Sequence, residues 1–369
     1  MRIALIIYGE LSQNSGGYLY DRILVDFLRK QKNHIDLVSL PFRNYAAHLA
    51  DNFSPGLNTR IKNLKPALVL QDELNHPSLI SLNRKLKGEI PIVSIVHHLR
   101  SSEPRSSLMN ALYRNVERRY LETVDGFVFN SFTTKMVVAD LLGGSKPNVV
   151  AHPGGDRLGS KLTGAKVRKR AKLPGPLRIV FLGNLIRRKA PHLLIEAMGR
   201  LPRGSFRLTF AGEDGIEPAY GAWLRKLVST HHLDRLVEFR GHLVQADLVR
   251  LLGSSHLLAV PSGYEGYGIA YIEGMGFGLP AIGTSAGATG EVITNGRNGY
   301  LIAVNDVQAL KSRLEYLNSN REILVKMSLE ALKHFESHPT WASSMRRVSE
   351  FLSGYNSKSI HPTSSRRKS

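Results

Sequence analysis

Short, continuous apolar runs rich in β-branched residues recur along this chain with helix-period stretches between them, and halfway along the pattern starts again. In the first half the runs are residues 3–8, 35–38, 67–70, 92–96 and 126–129. In the second half they are residues 178–183, 206–210, 237–239, 257–260 and 281–284. Runs without polar alternation suit strands buried on both faces, as in a parallel sheet covered by helices. The first such helix is expected over 18–30, with Leu19, Ile23, Leu24, Phe27 and Leu28 on one face. The pattern predicts an α/β chain of two Rossmann-like βα domains, and two domains also suit 369 residues. The expected boundaries are a first domain over 1–155, a basic linker over 156–178 and a second domain over 179–340. A helix over 341–354 then crosses back to the first domain, and a disordered basic tail fills 355–369. Ligands of such sheets sit at the carboxyl ends of the strands, here in a central cleft faced by both domains.

Composition removes several chemistries. With no cysteine, disulfides, thiolate metal sites and cysteine nucleophiles are excluded. The 14 histidines are scattered without metal-ligand spacing, so no metal is expected. No apolar run approaches the ~18 residues of a spanning helix. The opening run follows a single arginine and lacks a small-residue cleavage site, which reads as a strand rather than a leader, so a cytoplasmic protein is expected. The net charge of +20 is uneven: residues 156–178 carry 8 basic side chains against Asp156, and 355–369 carry four basic side chains and no acid. Such runs either solvate the surface or attract an anionic one, a membrane leaflet or a polyanionic acceptor. No nucleic-acid-binding motif accompanies the charge, so nucleic acid is not an expected partner.

The segment that carries chemistry follows the run at 257–260. It contains Pro261, Ser262, Tyr264, Glu265, Tyr267, Gly268, Ile269 and Glu273, with Gly263, Gly266 and Gly274 between them. A helix opening near Tyr267 would present unpaired backbone N–H groups to a diphosphate, and the glycines admit the phosphates closely. Glu265, ahead of the helix, would reach sugar hydroxyls. Glu273, about two turns on, would accept from a ribose diol, to which a carboxylate offers two oxygens. No G-x-G-x-x-G is present, so the nicotinamide-dinucleotide fingerprint is missing.

Glu265 and Glu273, separated by seven residues, resemble the hallmark of glycosyltransferase family 4, the retaining GT-B glycosyltransferases of group 1. The likeness continues through Gly278, Leu279 and Pro280, through 284–291 and 295–301, and through the loop 181–189 with Lys189. Val96, His97 and His98, then Phe129, Asn130 and Ser131, and His152 to Asp156 occupy similar positions in the first domain. The resemblance implies a GT-B fold and transfer of a hexosyl group from a nucleotide-diphosphate sugar to an acceptor hydroxyl, with retention and without a metal or other cofactor. It implies His97, Lys189 and Glu265 as catalytic residues. Gly16, Gly17, Asn184, Arg188, Lys189, Glu265, Tyr267, Gly268, Ile269 and Glu273 would then hold the donor. Lys189 would neutralise the diphosphate. Asn184 stands where many members carry an arginine, so Arg187 or Arg188 is expected to substitute. His98 competes with His97 for the place beside the donor sugar.

The acceptor belongs to the first domain. Between 99 and 122, Arg100, Arg105, Arg114, Arg118 and Arg119 interleave with Leu108, Met109, Leu112, Tyr113 and Val116, an amphipathic basic pattern. It suits either an ordinary core helix or a helix resting on anionic headgroups. With the other basic segments it favours a lipid-linked or cell-envelope glycan acceptor and a peripheral position on the inner membrane face. A soluble small-molecule acceptor, a GT-B epimerase and a non-catalytic polyanion-binding GT-B module are the competing readings.

Overall fold

The computed structural model describes residues 1–54, 56–159 and 162–358. The chain forms two compact units: Met1–His152 with the C-terminal stretch from Ala342, and Pro153–Trp341.

The first unit is built on β1 (Arg2–Tyr8), β2 (His34–Leu40), β3 (Leu68–Asp72), β4 (Ile92–Val96), β5 (Gly126–Phe129) and β6 (Asn148–Val150), in the order β2-β1-β3-β4-β5-β6. Every pairing is parallel, with Ile3 opposite Ile35 on one side and Leu68 on the other. The strand order reverses between β1 and β3, so loops leaving these two strands diverge and open a crevice there. Strands β1, β3 and β4 are buried almost throughout, which explains their unbroken apolar runs.

The second unit carries β7 (Leu177–Leu182), β8 (Phe206–Ala211), β9 (Val237–Phe239), β10 (Leu257–Val260), β11 (Ala281–Thr284) and β12 (Gly299–Ile302). Their order is β12-β11-β10-β7-β8-β9, again all parallel, with the switch point between β7 and β10. Its core joins strand residues such as Ile179, Phe181, Phe210 and Leu258 to Leu194, Ile272, Leu310 and Leu324 from the helices.

Three features differ from the sequence reading. The stretch expected as a basic linker is folded into the second unit: Asp156–Leu158 is a helical turn, and Gly164–Lys172 is a helix with Val167, Arg170 and Ala171 buried. On that helix Lys166, Arg168, Lys169 and Lys172 are exposed, whereas the buried Arg170 guanidinium donates to the carbonyls of Phe277 (2.8 Å) and Gly278 (2.9 Å). These carbonyls lie in the turn that follows the helix Ile269–Met275, so Arg170 satisfies buried backbone acceptors and does not simply solvate a linker. Second, Gly16 and Gly17 open the first helix, Gly16–Lys30, with Ser15 as its cap. The buried face of that helix is Tyr18, Tyr20, Asp21, Leu24, Val25 and Leu28, while Leu19, Ile23 and Phe27 are half-buried. Third, the last helix runs Trp341–Lys358 and buries Met345, Val348 and Leu352; Tyr355 donates to the carbonyl of Asp125. The expected tail thus starts inside a helix, and its residues 359–369 lie outside the described residues.

Candidate functional site

In the second unit the site grows from the loops that leave β7 and β10, neighbours at the switch point. Gly263 N–H donates to the carbonyl of Arg188 at 2.7 Å, and the Arg188 guanidinium donates to the carbonyl of Tyr264 at 2.7 Å. These bonds hold the two loops together and bring Lys189 to Glu265, 76 residues away in sequence. Lys189 Nζ donates to Glu265 Oε1 at 2.8 Å, and Ser262 Oγ donates to the same oxygen at 2.5 Å. Glu265 is 7% exposed. Burial alone would push its carboxyl up; the charges of Lys189 and Arg188 and the two hydrogen bonds outweigh it and hold the group at about 2. Glu265 is therefore a fixed carboxylate at neutral pH. Gly183 lets the lysine stem lie against the backbone, since a Cβ there would stand 3.0 Å from Lys189 Cδ. Asn184 is half-buried in the same loop.

The helix after Glu265 opens at Ile269, two residues later than expected, because Gly268 takes the left-handed region at φ +95°. A side chain at Gly268 would also collide with the Tyr271 ring. Tyr267 is a core residue, 3% exposed, with its hydroxyl against His338, so its side chain belongs to packing. The glutamate Glu273 does not join the Lys189 cluster. It is 4% exposed, and its Oε1 accepts from Arg157 Nε at 2.7 Å. Burial raises its carboxyl and Arg157 opposes the rise.

In the first unit, His97 follows β4. Its Nε2 donates to Asp21 Oδ1 at 3.0 Å, and its ring packs so close to Gly17 that a Cβ there would stand 3.0 Å from Cδ2. Burial would lower the imidazole, but Asp21, Asp72 and Glu73 raise it to about 9. The pairing with Asp21 favours the protonated, donating form of His97. Burial and Asp21 push Asp72 to about 7, and burial pushes Glu73 to about 8. His98 bonds instead to Glu103 at 2.8 Å in a more exposed place; of the two histidines, His97 is the one set against the glycine pair. A second buried group lies beyond: His76 stands 3.0 Å from Glu73 Oε1, and Glu117 accepts from Ser101 N–H at 3.1 Å. Asp21, Asp72 and His97, like Glu73, His76 and Glu117, have the donor types of a cation site, with ligand atoms within 4.8 Å of one another.

Sequence reasoning missed Asp21, Asp72, Ser262 as a partner of Glu265, and Arg157. Only Asp21 left a signal: it is an acid on the apolar stripe of Leu24, Val25 and Leu28.

Residues 165–334 match the family model described as Glycosyl transferases group 1. Glycogen synthase of Mycobacterium tuberculosis is 27% identical over 229 residues, covering 60% of this chain and 53% of the relative. D-inositol 3-phosphate glycosyltransferase of Rhodococcus jostii is 31% identical over 205 residues, 53% of this chain and 45% of the relative. The chain thus spans about half the length of the curated relatives it matches. Among solved structures, sucrose-phosphate synthase of Thermosynechococcus elongatus superposes with a TM-score of 0.80 at 18% identity, covering 96% of this chain and 98% of that one. Anabaena HepE in complex with UDP and glucose superposes with a TM-score of 0.75 at 18% identity, over 96% and 99%. The fold is therefore GT-B, with two Rossmann-like βα domains.

Proposed function

We propose that this chain is a retaining, metal-independent glycosyltransferase of the hexosyltransferase class, using a nucleotide-diphosphate sugar. The observation that carries the reading is the buried Lys189–Glu265–Ser262 cluster at the β7/β10 switch point, inside the segment that matches the group 1 glycosyltransferases. Lys189, with Arg188 beside it, supplies positive charge where the leaving diphosphate gains negative charge, the place where a fixed cation lowers a barrier most. Glu265, held ionised, accepts hydrogen bonds from the donor sugar and stabilises positive charge growing at its anomeric carbon. The first N–H groups of the Gly16–Lys30 helix and the His97 imidazolium serve the donor from the first unit. Gly268 and Ile269 act through backbone, and Asn184 lies in the phosphate loop.

In the proposed step the bond from the anomeric carbon to the diphosphate oxygen breaks. The acceptor oxygen bonds to that carbon on the same face, and the acceptor proton passes to the departing phosphate. The products are the glycoside and a nucleoside diphosphate. A Glu265 carboxylate held at about 2 is a weak base and a protonated His97 has no lone pair to offer, which favours the phosphate as proton acceptor.

For the acceptor, the helix Ser107–Leu121 supports a lipid-linked glycan at an anionic membrane surface. Tyr113 and Val116 are core residues, whereas Leu108, Met109 and Leu112 are 80%, 40% and 46% exposed beside the exposed Arg114, Arg118 and Arg119. Phe132 and Met136 on the packed helix Phe132–Leu142 add 55% and 58% exposure. Among the described residues no helix is long and apolar enough to cross a membrane, so contact would be peripheral. The name of the inositol-phosphate relatives favours a soluble phosphorylated acceptor as the second reading.

The test is thermal stabilisation by UDP-, GDP- and ADP-sugars, with Glu273→Ala beside the parent. Stabilisation by one nucleotide sugar, abolished in the variant, supports the donor site. No response to any of them overturns it in favour of a non-catalytic polyanion-binding module. Release of an altered free sugar without acceptor would point to an epimerase.

A further inference from the structure

The diol reading of Glu273 assumed two available carboxylate oxygens, yet Oε1 is already taken by Arg157 at 2.7 Å, across 116 residues of sequence. Arg157 sits on the turn Asp156–Leu158, and that turn is locked in place. Asp156 Oδ1 accepts the N–H of Trp341 at 2.8 Å, and Leu158 is buried. At Gly155 a Cβ would stand 2.8 Å from both Ile272 Cγ1 and Phe335 Cε2, so the turn lies directly on the helix that carries Glu273. The guanidinium is thus delivered by a rigid backbone. Its side chain is 31% exposed while Glu273 is almost wholly enclosed, so the pair reaches solvent from the arginine side.

We propose that Arg157 is the positioning residue of the nucleotide site: it pins Oε1 of Glu273 and leaves Oε2 as the acceptor offered to the ribose. The inference rests on the reading of Glu273 as the ribose group. A buried carboxyl without a cation protonates, turns one oxygen into a donor and loses its fixed orientation. Asp156, Glu336 and His338 line the same cavity of about 150 Å³ beside Glu273. Asp156 is committed to Trp341 and His338 to the carbonyl of Pro153. Among the described residues, Arg157 is the cation paired with Glu273. Ribose preference should then depend on a residue that need not touch the ribose.

The test measures affinity of the full chain for UDP, GDP and ADP, and for the 2′-deoxy form of whichever binds, at pH 6, 7 and 8. The parent should prefer the ribonucleotide. Arg157→Met should bind it about tenfold more weakly, the loss expected for a charge-assisted contact. It should also lose the ribose preference and weaken further as pH falls, because Glu273 then takes up a proton. Arg157→Lys should recover part of the affinity and the preference, and Arg157→Gln should not. Since Lys and Gln are close in size, that pair decides the matter even if Arg157→Met fails to fold. Parent-like affinity, ribose preference and pH profile in the Met or Gln variant overturn the proposal while leaving the donor site intact. A parent that binds none of the three nucleotides removes the donor-site reading, and this inference with it.

Discussion

Lys189 holds the Glu265 carboxylate at about 2, and in the proposed function it offsets the charge of the departing diphosphate. Lys189→Ala is therefore expected to lower kcat about 10²–10³-fold with a smaller effect on KM, measured as nucleoside diphosphate release. Because the folded value of Glu265 lies below its ordinary 4.5, the group adds stability above that pH and loses it as pH falls toward 2. In the variant that acid-side loss should shrink. His97 works in the opposite direction. Its folded value, about 9, lies above its ordinary 6.5, so its stabilisation is full below pH 6.5 and is lost as pH rises through 9. Asp21→Asn should flatten the fall in melting temperature between pH 6.5 and 9. An unchanged slope would mean that Asp21 does not hold the proton on His97. The meeting of Lys189 and Glu265 in one site was expected from the resemblance, while the residue pattern itself singled out Glu265 and Glu273 as candidates. Asp21 showed only as an acid on an apolar stripe and Arg157 as one charge among many in a basic run, because neither pattern names a partner; the fold supplies His97 to one and Glu273 to the other.

At the scale of elements, ten of the twelve described strands showed as apolar runs in the sequence, the three-residue β9 among them. Strands β6 and β12 escaped although β9 and β10, no longer than they are, were read: β6 opens on Asn148 and β12 on Gly299, residue types depleted in strands. The linker reading failed for a different reason: composition reports charge, and only packing reports which charge is inside. Arg170 is 6% exposed, and burial lowers its guanidinium to about 10. Arg170→Met should cost about 2–4 kcal/mol in urea unfolding by orphaning the Phe277 and Gly278 carbonyls, whereas Lys169→Met should change stability by less than about 0.5 kcal/mol. Loop geometry is as demanding. Gly287 has φ +71° and bridges to Glu265, and any side chain would overlap the Glu265 carbonyl oxygen. Gly287→Ala should therefore destabilise the chain by at least about 1–3 kcal/mol and weaken nucleotide binding, read by thermal shift and calorimetry.

For the whole molecule, a net charge of +20 argues for attraction to anionic surfaces, but contact requires an apolar patch as well. Leu108, Leu112, Phe132 and Met136 supply one on two packed helices. The chain should sediment with vesicles containing phosphatidylglycerol and not with neutral ones, more weakly as salt rises. Leu108→Ser with Leu112→Ser should reduce binding several-fold, each lost side chain removing about 1–2 kcal/mol of burial. Equal binding to neutral vesicles, or none to either, would return the acceptor to the soluble class. The sequence by itself determined two βα units, the strands long enough to show burial, and the residues whose type and spacing define a donor loop. Those properties are local, set by periodicity and by what a short segment can do alone. The tertiary structure decided which charge is buried, which histidine faces the glycine pair, and that Glu273 already has Arg157 as a partner. Each of these depends on desolvation and on contacts between segments that only the folded chain brings within 3 Å.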